Sequence, residues 1–203
     1  MTPSMENVWL NPEFAGTRPA AAVFADRDGT LIEHVDYLCD PRATRLLPGV
    51  KAAVHRLLEA GIPFYILTNQ SGVGRGYFAI DRVHACQTRL FELLEIRPDQ
   101  LAGWCIAPEA PDIPDGYRKP SPRFIYEATH HLHVAAEQTH VIGDTLVDLE
   151  TAWNANARAW AVACGKPELP AAHQASAING GRYDLKDDFA ACIDAILIEN
   201  PQH

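Results

Sequence analysis

The sequence predicts an α/β sandwich built around a mainly parallel sheet. Short apolar runs alternate along the chain with longer segments whose apolar residues recur at helical spacing. The apolar runs are continuous, as is typical of strands that are buried on both faces. With 203 residues, 47% hydrophobic and 21% charged, the chain is long enough for one domain with a full hydrophobic core.

The elements follow from local signals. The first strand, 21–26, is the apolar run that ends at Asp26, and the helix after it has Pro48 before its start and Gly61 as its stop. Asp81 is a candidate N-cap, and Ser121 with Pro122 forms a cap and first-turn pair. The predicted strands are 21–26, 62–68, 101–107, 139–144 and 158–164, and the predicted helices are 49–61, 81–96, 121–132, 145–156 and 187–199.

The first 20 residues are weakly patterned, and we interpret them as an N-terminal extension that runs as an extended arm over the surface. Residues 21–203 are predicted to form a single domain, and the chain shows no internal repeat. The segment 108–117 is a Pro-rich loop, and GVGRG at 72–76 is predicted to be a flexible loop near the entrance of a site.

Charge and composition exclude several classes of protein. The net charge of −9 argues against a nucleic-acid partner, because phosphate backbones require clustered Lys and Arg. No signal peptide or membrane-length apolar run is visible, so we expect no membrane association. The five cysteines are scattered, which favours reduced thiols and a cytoplasmic location. A small phosphorylated metabolite remains a possible ligand, and a monomer is the favoured oligomeric state.

Polar clusters follow four of the predicted elements at one edge of the sheet. DRDGT (26–30) ends the first strand, and TNQSG (68–72) follows the second. RKP (118–120) precedes a helix, and GDTLVD (143–148) ends the fourth strand. Because ligands of open parallel sheets bind outside the carboxyl ends of the strands, the four clusters predict one site.

These residue types suit phosphoryl transfer. Asp26 and Asp144 would converge on Mg²⁺, which takes one or two carboxylates together with a substrate phosphate. Asp26 could attack phosphorus, while Asp28 could protonate the leaving alcohol and later activate water. Thr68, backbone amides near Asn69, and Lys119 would hold the phosphoryl oxygens, and Lys119 would lower the pKa of the nucleophile.

The four clusters together resemble the motifs of the haloacid dehalogenase-like phosphatase superfamily. Within it, the chain is most similar to the D-glycero-D-manno-heptose 1,7-bisphosphate 7-phosphatases and the histidinol-phosphate phosphatases, over about residues 21–167. The resemblance implies a Rossmann-like three-layer core without a large cap domain. It also implies Mg²⁺-dependent hydrolysis of a phosphomonoester through an aspartyl-phosphate.

The resemblance assigns roles to individual residues. Asp26 would be the nucleophile and Asp28 the acid/base, and Mg²⁺ would be held by Asp26, the Asp28 backbone carbonyl and Asp144. Asp148 would support the metal shell indirectly, and Arg27 is assigned no role. The residues expected near the substrate are Asn69, Gln70, Arg75 and Arg118.

One loop departs from the two families, which carry a zinc loop with a Cys-x-His pair and a Cys-x-Cys pair before the RKP motif. Residues 104–120 of this chain contain only Cys105. A single thiol does not make a tetrahedral zinc site, so we predict no structural zinc and a loop ordered by its prolines.

Three functions stay open at this stage. A heptose bisphosphate is the leading substrate, and histidinol phosphate or another small phosphomonoester is the alternative. A phosphosugar-binding protein that has kept the fold and lost turnover is the third possibility.

Overall fold

The computed structural model describes residues 5–110, 116–164 and 183–201. Seven strands form one sheet in the order β1-β4-β3-β2-β5-β6-β7. β1 pairs with β4 in antiparallel orientation, and every other neighbouring pair is parallel, as predicted. The strands are β1 (Val8–Leu10), β2 (Ala22–Asp26), β3 (Phe64–Asn69), β4 (Gly103–Ala107), β5 (Thr139–Gly143), β6 (Arg158–Val162) and β7 (Tyr183–Lys186).

Helices connect the strands and cover both faces of the sheet. The helices are α1 (Val50–Glu59), α2 (Ser71–Gly74), α3 (Ile80–Leu94), α4 (Arg123–Leu132), α5 (Leu146–Asn154) and α6 (Phe189–Glu199). Three local predictions are wrong. Pro122, rather than Ser121, is the N-cap of α4. Ala79 is the N-cap of α3, and Asp81 lies in the first turn, where its charge favours the helix dipole. Residues 71–74, which include the start of the predicted loop 72–76, form the short helix α2.

The side chains of the central strand explain the three layers. All five residues of β2 are buried. Val23 and Ala25 belong to a core cluster with residues of α1, α3 and α6, whereas Ala22 and Phe24 belong to a second cluster with residues of α4 and α5. Successive side chains of a strand point to opposite faces, so a continuous apolar run supplies both cores. The three-layer α/β sandwich is therefore confirmed.

Part of the N-terminal segment extends the sheet. Val8–Leu10 pairs with β4, and the rings of Trp9 and Trp104 lie 4.4 Å apart. Trp104 Nε1 also donates to the Glu6 carbonyl at 2.8 Å. Gly103 permits this close approach, because a Cβ at that position would lie 2.4 Å from the Trp9 carbonyl oxygen. The weak pattern of the segment did not predict this strand.

The order of the strands places a crevice beside β2. The chain passes from β2 outward to β3 and β4, and then returns to β5 on the other side of β2. Open α/β sheets bind ligands at such a reversal, outside the carboxyl ends of the strands. Among the described helices, none combines the length and the apolar character needed to cross a bilayer.

Candidate active site

Three aspartates meet at the carboxyl ends of β2 and β5. Asp26 is the last residue of β2, Asp144 directly follows β5, and Asp148 lies in the first turn of α5. Carboxylate oxygens of the three residues all lie within 4.8 Å of one another. The two motifs that end predicted strands one and four are therefore joined in space, as the parallel sheet requires.

Lys119 links two of these carboxylates. Its Nζ lies 2.5 Å from Oδ1 of Asp26 and 2.5 Å from Oδ1 of Asp148, and the side chain is only 6% exposed. The other oxygen of Asp148 accepts hydrogen bonds from Thr145 N at 3.1 Å and Thr145 Oγ1 at 2.6 Å. Asp148 thus caps α5 and fixes the ammonium group at the same time.

The electrostatic balance of the cluster is negative. Burial raises the pKa of Asp26 well above its usual value, and the neighbouring Asp148, Asp144 and Asp28 raise it further. Lys119 lowers this pKa, as predicted, but its effect is smaller than that of burial together with the three carboxylates. Burial also lowers the pKa of Lys119, but Asp148 and Asp26 overcome that effect and the pKa is raised.

Asp28 is not a member of this carboxylate cluster, and its side chain accepts four hydrogen bonds from three residues. Arg27 Nε donates to Oδ2 of Asp28 at 2.9 Å, and Arg27 Nη2 donates to Oδ1 at 3.3 Å. Thr68 Oγ1 at 3.1 Å and Gln70 Nε2 at 2.9 Å donate to the same Oδ2. Arg27, to which the sequence analysis assigned no role, is fully buried and donates to the Asp28 carboxylate. It anchors the candidate acid/base.

The side chains at the carboxyl end of β3 support this arrangement. Asn69 accepts from Lys119 N at 2.9 Å and donates to the Lys119 carbonyl at 3.1 Å, so its amide group binds the backbone of the RKP segment. Gln70 is 7% exposed and also donates to Thr68 Oγ1 at 2.7 Å. The structure brings these three predicted residues together with Asp28 and Lys119.

Two adjoining cavities open over these groups. One, of about 370 Å³, is bordered by all four aspartates and by Lys119. The second, of about 270 Å³, is bordered by Asp28, by Gln70 and by the loop 34–38. Asp28, His34, Asn69 and Arg118 border both. A larger cavity, of about 770 Å³, lies against 41–45 and 85–93, and none of the predicted site residues borders it.

The structure separates the two predicted substrate residues Arg118 and Arg75, and it adds His34, which the sequence analysis did not identify. Arg118 stands between the cavities, and its Nη1 has no hydrogen-bond partner in the described part of the chain. Arg75 follows α2, is exposed and borders neither cavity. Burial lowers the pKa of Arg118, and the positive charge of Arg75 lowers it further. His34 was missed. The sequence feature that could have identified His34 is its position in the loop after the first predicted strand.

The donor set fits Mg²⁺. Three carboxylates lie together with one buried ammonium group, which contacts two of them, and the excess of acidic groups suits a divalent cation. Gly29 lets the turn after β2 approach Asp144, because a Cβ there would lie 2.3 Å from Asp144 Oδ2. The Asp28 side chain is bound to Arg27, so only the backbone of Asp28 is left for a metal.

The predicted absence of zinc stays a prediction. Cys105 is a buried thiol of β4, and burial raises its pKa. Residues 111–115 of the loop before the RKP motif lie outside the described residues, and the ordering of this loop by its prolines stays a prediction.

Comparisons with known proteins agree with this geometry. A family model described as HAD-hydrolase-like matches residues 116–187. A relative from Mesorhizobium japonicum is 36% identical over 152 residues, which are 70% of this chain and 69% of the relative. A relative from Escherichia coli K12 is 30% identical over 164 residues, or 76% of this chain and 85% of the relative. The chain therefore belongs to the haloacid dehalogenase-like hydrolase family, and it is a phosphatase.

The relatives also define a branch of that family. Both are D-glycero-beta-D-manno-heptose-1,7-bisphosphate 7-phosphatases. The crystal structure of a D,D-heptose 1,7-bisphosphate phosphatase from B. bronchiseptica, complexed with magnesium and phosphate, is similar with a TM-score of 0.76 and 27% identity, covering 88% of this chain and 99% of that one. A putative HAD-like phosphatase from Mesorhizobium loti has a TM-score of 0.73 and 26% identity over the full length of both chains.

Proposed function

We propose that this phosphatase is Mg²⁺-dependent and removes the 7-phosphate of a D-glycero-D-manno-heptose 1,7-bisphosphate through an aspartyl-phosphate on Asp26. The observation that carries the chemistry is the contact of Lys119 with both Asp26 and Asp148, beside Asp144. The assignment of the substrate is supported by the names of the relatives and of the solved structure.

The residues at the strand ends have complementary parts in this reaction. A carboxylate oxygen of Asp26 attacks phosphorus, and the bond from phosphorus to the sugar oxygen breaks. Protonated Asp28 gives its proton to that oxygen, and the resulting carboxylate then takes a proton from water. The water oxygen attacks phosphorus, the bond to Asp26 breaks, and inorganic phosphate leaves. Lys119 places positive charge beside the phosphoryl group throughout.

Asp26, the Asp28 backbone carbonyl and Asp144 would hold Mg²⁺, and Asp148 would act indirectly by fixing Lys119. The bound ion supplies positive charge that offsets the carboxylates and the incoming phosphate dianion.

The second phosphate of a bisphosphate has a candidate partner in Arg118. This guanidinium borders both cavities, and Arg75 lies close enough to add to the local positive potential. In this arrangement Asn69 orients the RKP segment and Gln70 orients Asp28, so these two residues support the substrate site through their neighbours. We propose a small phosphorylated sugar as the partner of the site. The cytoplasmic location and the monomeric state stay predictions.

Phosphate release from purified protein tests the proposal. Heptose 1,7-bisphosphate, histidinol phosphate and glycerol 2-phosphate are compared with Mg²⁺ and with excess chelator. The expected result is strong, Mg²⁺-dependent turnover of the heptose bisphosphate. Preference for histidinol phosphate would move the substrate to the alternative. Binding of the heptose bisphosphate without turnover would favour a non-catalytic binding protein.

Asp26→Asn removes the proposed nucleophile and should lower turnover more than about a thousandfold, because the asparagine amide does not form an acyl phosphate. Asp81→Asn is the matched control, since Asp81 is an exposed aspartate of α3 outside both site cavities. The control should keep wild-type activity. Residual turnover by Asp26→Asn above one per cent in protein free of contaminating phosphatase would reject Asp26 as the nucleophile.

A further inference from the structure

The carboxylate of Glu109 joins the two ends of the loop between β4 and the RKP segment. Glu109 is the second residue after β4, and its Oε1 accepts a hydrogen bond from Tyr117 N at 3.2 Å. A Cβ at Gly116 would lie 3.0 Å from the same Oε1, so the carboxylate lies directly against the backbone before the RKP segment. One side chain thus closes, at its base, the loop that lacks the cysteine pairs of the two related families.

The first end of this loop is fixed by the segment that contains α2. Gln70 N donates to the Ala107 carbonyl at 2.7 Å, and Gly74 N donates to the Pro108 carbonyl at 3.0 Å. A Cβ at Gly74 would lie 2.6 Å from the Pro108 carbonyl oxygen, so the end of α2 and the start of the loop are in direct contact. The backbone that carries Glu109 is therefore held in place.

The second end of the loop is fixed by α4 through the ring of Tyr117. The Tyr117 hydroxyl group donates to Oε1 and Oε2 of Glu127, at 3.1 and 3.0 Å. The guanidinium of Arg123 lies 4.3 Å from the centroid of the Tyr117 ring, a cation–π contact, and Arg123 Nε donates to Glu127 Oε1 at 3.0 Å. These contacts hold the side chain of Tyr117, whereas Glu109 holds its backbone.

Arg118 lies between two residues whose backbones are held. Glu109 binds the N–H of Tyr117 before it, and Asn69 Oδ1 accepts from the N–H of Lys119 after it at 2.9 Å. Burial lowers the pKa of Arg118 and the negative charge of Glu109 raises it, so the two side chains interact. Because Nη1 of Arg118 is buried without a hydrogen-bond partner among the described residues, the guanidinium retains a donor for a ligand.

We infer that Glu109 is a positioning residue, which fixes the backbone of Tyr117 and thereby places the Arg118 guanidinium at the substrate site. The inference rests on the proposed contact of Arg118 with the second phosphate, and it adds a residue that favours a bisphosphate over a monophosphate. The second phosphate is remote from the bond that breaks, so its contact contributes equally to the ground state and the transition state. A misplaced Arg118 should therefore change KM rather than kcat. The carboxylates that bind the Lys119 ammonium group do not include Glu109.

Steady-state kinetics with two substrates test the inference. Glu109→Ala should raise KM for heptose 1,7-bisphosphate about fivefold and leave kcat within about twofold, because the hydrogen bond that fixes the chain before Arg118 is lost. KM for heptose 7-phosphate, which has no second phosphate, should stay within about twofold. Glu109→Gln keeps an oxygen that accepts from Tyr117 N and should behave like the wild type. Glu92→Ala is the control, since Glu92 is a glutamate of α3 that pairs with Arg89 at the surface.

Arg118→Ala measures the contact through which Glu109 acts. It should raise KM for the bisphosphate about thirtyfold, and the Glu109→Ala, Arg118→Ala double variant should be no worse. Several results would overturn the inference while the proposed function stands: an unchanged KM in Glu109→Ala, equal increases for both substrates, a Glu109→Gln as impaired as Glu109→Ala, or a double variant worse than Arg118→Ala. If Arg118→Ala leaves KM unchanged, the proposed contact with the second phosphate fails and the inference falls with it.

Discussion

At the scale of single residues, the arrangement around Asp28 is the least expected part of the site. Arg27, Thr68 and Gln70 all donate to its carboxylate, so the side chain has one orientation before any substrate arrives. Arg27 directly follows β2, whose side chains before Asp26 are apolar, and its guanidinium is fully buried. A folded protein tolerates a buried charge when an opposite charge pairs with it, and Asp28 supplies that charge for Arg27.

Arg27→Met should therefore cost both stability and activity. We expect a loss of about 3 kcal/mol in the free energy of unfolding, because the methionine leaves Asp28 without its buried counter-charge. We also expect a fall of at least about tenfold in kcat, because Asp28, the proposed acid/base, is no longer oriented. Urea denaturation and phosphate release measure the two effects.

The matched control is Arg56→Met, in which an exposed arginine that pairs with Asp194 on the surface is replaced. Exposed ion pairs contribute little, so this variant should unfold close to the wild type. Equal unfolding free energies for Arg27→Met and Arg56→Met would contradict the assigned role of Arg27.

At the scale of elements, the turn after β2 depends on its glycine. Gly29 has φ of 95°, and a Cβ there would lie 2.3 Å from Asp144 Oδ2. Gly29→Ala should abolish most activity, because either the turn or Asp144 must move away from the proposed metal site. Phosphate release and urea denaturation are the measurements.

Two effects act in Gly29→Ala, the cost of the positive φ and the clash of the new Cβ with Asp144, and Gly76→Ala has only the first. Gly76 also has a positive φ, of 74°, but nothing lies within 4 Å of a Cβ at that position. The Gly76→Ala variant should lose only about 1 kcal/mol of unfolding free energy, because of its backbone conformation, and should keep its activity. If Gly29→Ala were as active as Gly76→Ala, the close approach of the turn to Asp144 would not matter to catalysis.

Most elements could be predicted because their signals are local. The strands β2 to β6 are continuous apolar runs, and the predicted bounds differ from the observed ones by about two residues. β1 and β7 carry no such signal. β1 is three half-buried residues whose pairing depends on Gly103, far along the chain, and β7 reads YDLK, in which polar and apolar residues mix. Long-range pairing of this kind cannot be read from a short segment.

The site was predictable to the same extent. Asp26, Lys119 and Asp144 follow from their positions at the ends of buried strands and before a helix, since parallel strands bring those ends together. The contacts of Arg27 and the place of His34 depend on side-chain direction and on the path of the loop 33–40. Neither is fixed by residue spacing, so the structure was needed to find them.

At the scale of the whole molecule, a buried histidine links stability to pH. His140 is 2% exposed, and its Nδ1 accepts a hydrogen bond from Trp160 Nε1 at 3.0 Å. Burial, and then the nearby Arg158, lower the pKa of His140 to about 4. The native state thus keeps the ring neutral, whereas the unfolded chain protonates it near its usual pKa of about 6.5.

Between about pH 6.5 and 4, the unfolded state binds more protons, so the free energy of unfolding falls as the pH falls. His140 alone should remove about 3 kcal/mol over this window. His140→Gln does not titrate, so urea denaturation between pH 7.5 and 4.5 should show a smaller loss for it than for the wild type. His130→Gln, at an exposed position of α4, should follow the wild type. Identical pH slopes for all three proteins would exclude His140 as the cause.

The edge strand β1 has a practical consequence for handling the protein. Val8–Leu10 occupies the outer side of β4, whose backbone groups would otherwise face solvent unpaired. A chain shortened to begin after Leu10 would present that open edge together with the indole of Trp104, and such edges recruit strands from other molecules. We therefore expect a protein that lacks residues 1–10 to self-associate more than the full chain does, and affinity tags are best joined ahead of Val8.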